Sequence, residues 1–517
     1  MGVVVQNKES VRLVLPGDLG PECLRTEWRL EIHSQESKVL EFWDTFEWGL
    51  WFGGHVLYRC GGVYNLCRHE NGTIGAVVCE EQAVGIRRSW RDFKIEPLRA
   101  ALEEMLGLRA LAMVVEGTFR LSRCDVRDKA GKIVCRLEWA SVFAGKEGEE
   151  ELQRSCRVLP LRGYEAEADR MVEQLIRHGA TTSGDGPLEL LLRHADREPR
   201  KYTLRPAFGL ETETAAREAV GRIVGAILKI AVSNVPGILS DLDTEFLHDY
   251  RICLRKIRSV LSLVKDVYPV AKSRRIRKIL GDLARQTNRL RDLDVYLLSR
   301  DEYLDLLPPR LRPALEGMFD DFSAERGVEV RRTISKMGAS LHRKILRETA
   351  LFFSEQTSHK HSPAADLPVG PLVFRCIYKR YRKIRKIAAG IGTDSPDEMV
   401  HQIRIECKKL RYLLEFFTEI IPKEEGGAMQ KSLRRLQGRL GDFNDASVQQ
   451  KSLLNYWEQK RCGAETSMGL GGLVSILYHR QQETRGLIEQ ALEEFCGAST
   501  AAAFKRTFKQ PITVSAT

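Results

Sequence analysis

Two segments of this chain align without a gap, about 150 residues apart: His248-Asp-Tyr-Arg251-Ile-Cys-Leu-Arg255-Lys256-Ile-Arg258 and His401-Gln-Ile-Arg404-Ile-Glu-Cys-Lys408-Lys409-Leu-Arg411. Each reads H-x-x-R-I-x-x-[RK]-K-x-R. A second pair follows in the same order at nearly the same separation, Arg289-Leu-Arg-Asp292-Leu-Asp294-Val and Arg439-Leu-Gly-Asp442-Phe-Asn-Asp445-Ala. Matched segments in one order at one spacing mark an internal duplication, and this constrains the fold more than any other feature.

The repeated element has helical period. With His248 at zero and about 100° per residue, Arg251, Arg255 and Arg258 fall at about 300°, about 340° and about 280°. One histidine and three arginines therefore share an arc of roughly 80°. It lies beside an apolar stripe of Leu254, Ile257, Leu261 and Val264. His401, Arg404, Lys408 and Arg411 repeat the arc, with Leu410, Leu414 and Phe417 as apolar neighbours. Like charges at this spacing repel and cost helix stability unless an anion occupies the face. Arginine grips phosphate oxygens with a planar fork, and lysine adds a point charge. A further basic helix precedes the second copy, where Arg375, Lys379, Arg382 and Lys386 fall within roughly 60°. The acidic segments read as tethers within and between helices, since no nucleophile or metal-ligand spacing accompanies them.

Charge is concentrated in the same places. The chain carries 81 Lys and Arg against 70 Asp and Glu, a net +11. Residues 248–300 hold 14 basic and 5 acidic side chains, and residues 374–412 hold 11 and 4. Those windows sum to +16, so everything else carries −5. A near-neutral body with two basic regions attracts polyanions.

At 517 residues the chain exceeds one ordinary core, so more than one domain is expected. Up to about residue 200 the pattern is mixed α and β. Gly117–Val126 and Gly131–Phe143 read as strands around the turn at Asp128–Gly131, with helical spacing at Ile95–Leu106 and Glu165–His178. From residue 211 onward helices follow one another, separated by Pro236-Gly237, Pro269, Pro308-Pro309, Ser354–Pro371, Ser395-Pro396 and Pro422. The apolar run Ile223–Leu239 is interrupted by Lys229, Ser233, Asn234 and Pro236 and falls short of a membrane span. Residues 1–10 show neither a secretory h-region nor a myristoylation signal. The twelve cysteines include no C-x-x-C pair and read as reduced thiols of a cytoplasmic protein.

The paired H-x-x-R segments, Arg291-Asp-Leu-Asp-Val295 and Leu440-Gly-Asp-Phe-Asn-Asp-Ala446 resemble the CHAD family over roughly residues 211–500. That resemblance implies an all-α domain of two four-helix bundles related by a pseudo-two-fold, with a basic channel that binds inorganic polyphosphate. The expected domain spans 205–500, in halves of about 211–350 and 371–497 joined by a connector at 354–370. CHAD domains often follow a CYTH domain, the triphosphate-tunnel β-barrel, and residues 1–200 resemble one. Phe42-Trp-Asp-Thr-Phe-Glu-Trp-Gly-Leu-Trp51 is similar to the segment after that family's first strand and helix, and Leu161-Arg-Gly-Tyr164 fits the same relatives. Glu27-Trp-Arg29-Leu-Glu31-Ile-His33 stands at the expected place of the E-x-E-x-K signature, with Arg29 in an acidic position in either register and Glu31 or His33 in place of the lysine. A guanidinium there repels a divalent ion, so the expectation is a multi-domain chain whose N-terminal α+β antiparallel barrel is catalytically inactive.

The expected function is binding of inorganic polyphosphate, without enzymatic turnover and with no cofactor, metal ligand set or membrane partner. The expected ligands are His248, Arg251, Arg255, Lys256, Arg258, His401, Arg404, Lys408, Lys409 and Arg411, helped by Arg375, Lys379, Arg382 and Lys386. Association with polyphosphate granules would follow. The alternatives are a metal-dependent triphosphatase or polyphosphatase acting through the N-terminal tunnel, and a nucleic-acid-binding protein. Against the latter, the basic arcs lack interleaved aromatics for base stacking.

Overall fold

The computed structural model describes residues 11–509 except 18, 26, 71, 72, 83, 84, 149, 183, 355–361, 393, 394 and 461. The reading of residues 1–10 and the middle of the expected connector at 354–370 lie outside the described residues. Backbone contacts divide the chain into two units, one ending at Tyr202 and the other beginning at Thr203.

In the first unit, alternating apolar residues build eight strands: β1 (Val11–Leu15), β2 (Arg29–Thr45), β3 (His55–Cys60), β4 (Val63–Glu70), β5 (Thr73–Gln82), β6 (Leu111–Arg127), β7 (Ile133–Ala144) and β8 (Glu150–Pro160). They form one antiparallel sheet in the order β1-β8-β7-β6-β2-β3-β4-β5. Among the described residues no ladder joins the edge strands β1 and β5, so backbone pairing does not close the expected barrel. The β6–β7 turn is the expected one: Asp128 N–H donates to the Lys132 carbonyl (2.9 Å), and Gly131 takes a left-handed φ of +82°. Among the described residues the unit's α-helices are α1 (Gly49–Phe52), α2 (Glu96–Leu106), α3 (Glu165–Arg177) and α4 (Pro187–His194), with 3-10 turns at Pro21–Leu24 and Trp90–Asp92.

Among the described residues the second unit forms no β-strand, and its α-helices are α5 (Ala216–Leu239), α6 (Thr244–Leu263), α7 (Val270–Gln286), α8 (Asn288–Leu298), α9 (Arg300–Asp305), α10 (Pro313–Gly338), α11 (Ser340–Ser354), α12 (Val369–Ala388), α13 (Asp397–Phe416), α14 (Lys423–Lys460), α15 (Ala464–Cys496) and α16 (Ala498–Phe508). Pro236-Gly237 does not break α5 as expected. It lies in the last turn, and the helix runs on to Leu239 because Pro236 costs one N–H close to the end. Gly237 is needed for packing, since a Cβ there would lie 2.4 Å from the Phe246 ring. With 24 residues, α5 is long and apolar enough to cross a membrane by length and hydropathy, contrary to the reading of 223–239. Here its apolar side chains Val220, Ile223, Val224, Ile227 and Leu228 are buried, and the helix packs on α6, α10, α11 and α12. The Asp243 side chain caps α6 by accepting the N–H groups of Glu245 (2.9 Å) and Phe246 (3.2 Å). The pairs α5–α6 and α12–α13 correspond, and α6 packs directly on α13. After the repeated helix the first copy continues as α7 and α8, parted at Thr287, where the second continues as the single helix α14.

Candidate polyanion-binding site

Burial of Phe246, Tyr250, Leu254, Ile257 and Leu261 turns the opposite face of α6 outward, and with it His248, Arg251, Arg255 and Arg258. These four, together with Arg404 from α13, border one cavity of about 950 Å³. A second cavity of about 500 Å³ adjoins it, sharing Arg255, Arg258, Gly281 and Arg285. Its wall is cationic: Arg274, Arg277 and Lys278 of α7 and Lys409 of α13 complete it, with Ser259 and Ser262 between them. Gly281 lets α7 approach, since a Cβ there would meet the Arg258 guanidinium carbon at 3.3 Å.

Some of these charges are tied down. Arg251 donates to the Ala284 carbonyl (2.6 Å), Thr287 Oγ1 (2.8 Å) and Asn288 Oδ1 (2.9 Å), bracing α6 against the α7–α8 junction. Arg404 pairs with Asp445 at 3.4 Å, and Arg289 with Glu325 at 2.6 Å. Asp294, 2% exposed, holds Arg326 at 2.7 Å. The acidic segments thus include tethers between helices, as their sequence suggested. Others are free. Among the described residues no carboxylate lies within 4.0 Å of Arg255, Arg258, Arg274, Arg277, Lys278 or Lys408. Burial, then Arg285, Arg277 and Arg255, pushes the Arg258 pKa down. Burial, then Arg404 and Arg255, brings Lys408 down to about 8. Burial and Arg291 hold His248 at about 4, so its imidazole is neutral at pH 7 and offers a hydrogen bond, not a charge.

Several residues expected in the site stand elsewhere. Lys256 is buried, ion-paired with Glu415 and bonded to the Leu204 carbonyl (2.6 Å), because its i+1 position points it away from the arc. Arg411 lies over Tyr412 at 5.0 Å and lines a separate small pocket with Arg434. His401 is exposed, with Nδ1 3.0 Å from Asn444 Oδ1, and does not line the cavity. Lys409 lines the smaller cavity while bonded to Glu406 at 3.0 Å. Arg375, Lys379, Arg382 and Lys386 lie exposed along α12 and border neither cavity. The cations of α7 were absent from the expected ligand set. Their signal was in the sequence: Arg274, Arg277, Lys278 and Arg285 fall within about 100° on a helix.

In the N-terminal unit, β1, β2, β6, β7 and β8 line a cavity of about 150 Å³ that includes Arg12, Glu36, Lys38, Arg123, Glu138 and Arg157. The segment Glu27–His33 is not a first strand. It leads into and begins β2, downstream of β1, and its side chains lie outside this cavity: Glu31 pairs with Arg127 (2.8 Å) and His33 with Asp125 (3.9 Å). The departures at Arg29, Glu31 and His33 therefore do not decide what this cavity holds. Asp44, in the segment Phe42–Trp51, is buried and accepts the N–H groups of Thr45, Leu50 and Trp51, which fastens α1 to β2. Burial raises its pKa to about 6 against those bonds.

The CHAD domain family model matches residues 222–454. Two relatives from strains of Mycobacterium tuberculosis, uncharacterized proteins MT2285 and Rv2226, are each 24% identical over 252 residues, covering 48% of this chain and 46% of the relative. The chain thus matches about half the length of these curated relatives. Among solved structures, the CHAD domain of Ricinus communis is 22% identical with a TM-score of 0.48, covering 56% of this chain and 95% of that one. PptA from Streptomyces chartreusis is 16% identical with a TM-score of 0.41, covering 54% and 100%. HpAC1 from Hippeastrum, described by a dominant triphosphatase activity, is 15% identical with a TM-score of 0.22, covering 37% and 96%. Residues 222–454, which carry both histidine-bearing helices and the basic α7, form a CHAD domain.

Proposed function

We propose that this protein binds inorganic polyphosphate in the double cavity lined by α6, α7, α8, α13 and α14. The observation that carries the reading is the set of unpaired cations, Arg255, Arg258, Arg274, Arg277 and Lys278, around one connected hollow. Asp292 and Asp445 line the larger cavity, but neither pairs with these five, and like charges gathered without partners are unfavourable until a polyanion supplies the counter-charge. An unbranched chain of phosphates suits a wall of guanidinium forks and ammonium groups. The two halves then act as one duplicated unit whose repeated helices, α6 and α13, face each other across the ligand.

Nucleic acid fits less well. Tyr296 is the aromatic side chain among the residues lining these cavities, and it is 5% exposed, so bases find no stacking surface there. Long-chain polyphosphate is expected to bind at least about tenfold more tightly than single-stranded DNA or RNA at matched phosphate and physiological salt. Equal affinities in a competition titration would overturn the assignment.

The N-terminal unit is read as a non-catalytic module. A divalent ion needs free carboxylates, and those facing its cavity are engaged: Glu36 by Lys38 (2.6 Å) and Arg123 (2.7 Å), Glu138 by Arg123 (3.2 Å) and Arg157 (3.7 Å). The residues present do not fit the ion. No phosphate release from tripolyphosphate is expected with magnesium or manganese. Turnover that disappears on Glu36→Gln or Glu138→Gln would refute this.

A further inference from the structure

The basic face of α12 borders neither cavity, yet it joins the cavity rim through one buried carboxylate. Glu406, 3% exposed, is bonded at the same oxygen, Oε1, by Lys409 (3.0 Å) and Lys383 (3.1 Å), with Arg380 on Oε2. Lys409 lines the smaller cavity, whereas Lys383 is 48% exposed on α12. Their ammonium groups share one oxygen, so no gap separates the cavity wall from α12. A second contact places the helix at the same rim: Cys376 Sγ donates to the carbonyl of Leu263 (3.5 Å), the residue after the cavity-lining Ser262.

From Lys383 the charge continues outward. With Arg375 at zero on the helical projection, Lys383 falls at about 80°. Lys379, Arg382 and Lys386 fall at about 40°, about 340° and about 20°. Lys383 is therefore the edge of the stripe turned toward Glu406, and Arg375 to Lys386 extends it along roughly 16 Å of helix. All five are exposed, and among the described residues no carboxylate pairs with Arg375, Lys379, Arg382 or Lys386.

We propose that a polyphosphate chain too long for the cavity leaves it past Lys409 and runs along the α12 stripe, so that α12 sets a preference for long chains. This rests on the cavity reading above. A short chain is fully housed by α6, α7, α8, α13 and α14 and gains nothing from α12. A long chain gains charge contacts and releases more counterions.

The test compares tripolyphosphate with long-chain polyphosphate on the full chain carrying Lys379→Gln, Arg382→Gln and Lys386→Gln. These exposed changes leave the fold intact, as far-ultraviolet circular dichroism will show. The variant should bind the long chain about tenfold more weakly, with a shallower salt dependence, and tripolyphosphate as the wild type does. Unchanged affinity for the long chain overturns the proposal, as does an equal loss for both ligands. Arg255→Gln with Arg258→Gln separates the two readings by weakening both ligands. If that pair leaves both affinities intact, the cavity assignment fails, and the α12 path that starts from it fails too.

Discussion

Replacing Arg255, Arg258, Arg277 and Lys278 together by glutamine is expected to weaken long-chain polyphosphate binding by more than about a hundredfold while the protein stays folded. Each charge-assisted contact contributes about 1.5–3 kcal/mol, so even partial loss of four exceeds that factor. These four have no carboxylate partner among the described residues and form the wall shared by or adjoining both cavities. Removing them relieves repulsion between α6 and α7, so the melting temperature of the unliganded variant should hold or rise. Polyphosphate should raise the wild-type melting temperature by mass action and leave the variant nearly unmoved. Arg251 is excluded from the set because it braces the α7–α8 junction, and its loss would confuse folding with binding. Near-wild-type affinity in a folded quadruple variant would show that the basic wall is a solvated surface.

The helical half was readable because a duplicated pattern carries its own control. The arc of His248, Arg251, Arg255 and Arg258 is fixed by helical period alone, and the structure does turn it into a cavity. What period cannot give is the partner of each side chain. Lys256 and Arg258 stand two residues apart in one motif, yet Lys256 meets Glu415 across the unit and Arg258 lines the hollow above Gly281. The same limit explains the second copy. Its arc repeats that of α6, but α14 follows it with Asn444 and Asp445 in reach, so His401 and Arg404 are tethered. Duplication in sequence became asymmetry in charge.

The α7 cations were missed for a different reason. Arg274, Arg277 and Lys278 belong to no repeated motif, and in the second copy the corresponding stretch of α14 starts with Glu424 and Glu425. Residues peculiar to one half leave no mark in a repeated pattern. In the N-terminal unit, the segment Glu27–His33 stands at the expected place of the E-x-E-x-K signature, and its side chains lie outside the cavity. The charged residues that face the sheet's hollow, Glu36, Lys38, Arg123 and Glu138, are spread over three strands whose pairing no local pattern specifies.

Binding should also depend on pH through Lys408. Burial and the fields of Arg404, Arg255 and Arg411 depress its pKa to about 8, so in the free protein at pH 7 it is mostly charged and at pH 9 mostly neutral. Phosphates beside Arg255 and Arg404 favour the ammonium form and raise that pKa in the complex. The sign follows by linkage: affinity is at full strength below pH 8 and falls as pH rises through 8 toward the bound value. The loss should approach about tenfold, the lower end for one charged contact. Lys408, one of the expected ligands, borders neither cavity itself but stands in the field of Arg404 and Arg255, which do. His248 titrates near 4, and a phosphate's second ionisation, near 6, is complete. Lys408→Arg keeps the charge at all these pH values and should flatten the profile at the high-affinity level, whereas Lys408→Gln should flatten it at the low one. Titrations from pH 7 to pH 9.5 at constant ionic strength read this directly. A wild-type profile as flat as that of Lys408→Arg would remove Lys408 from the binding surface and leave the α6–α7 wall to hold the chain alone.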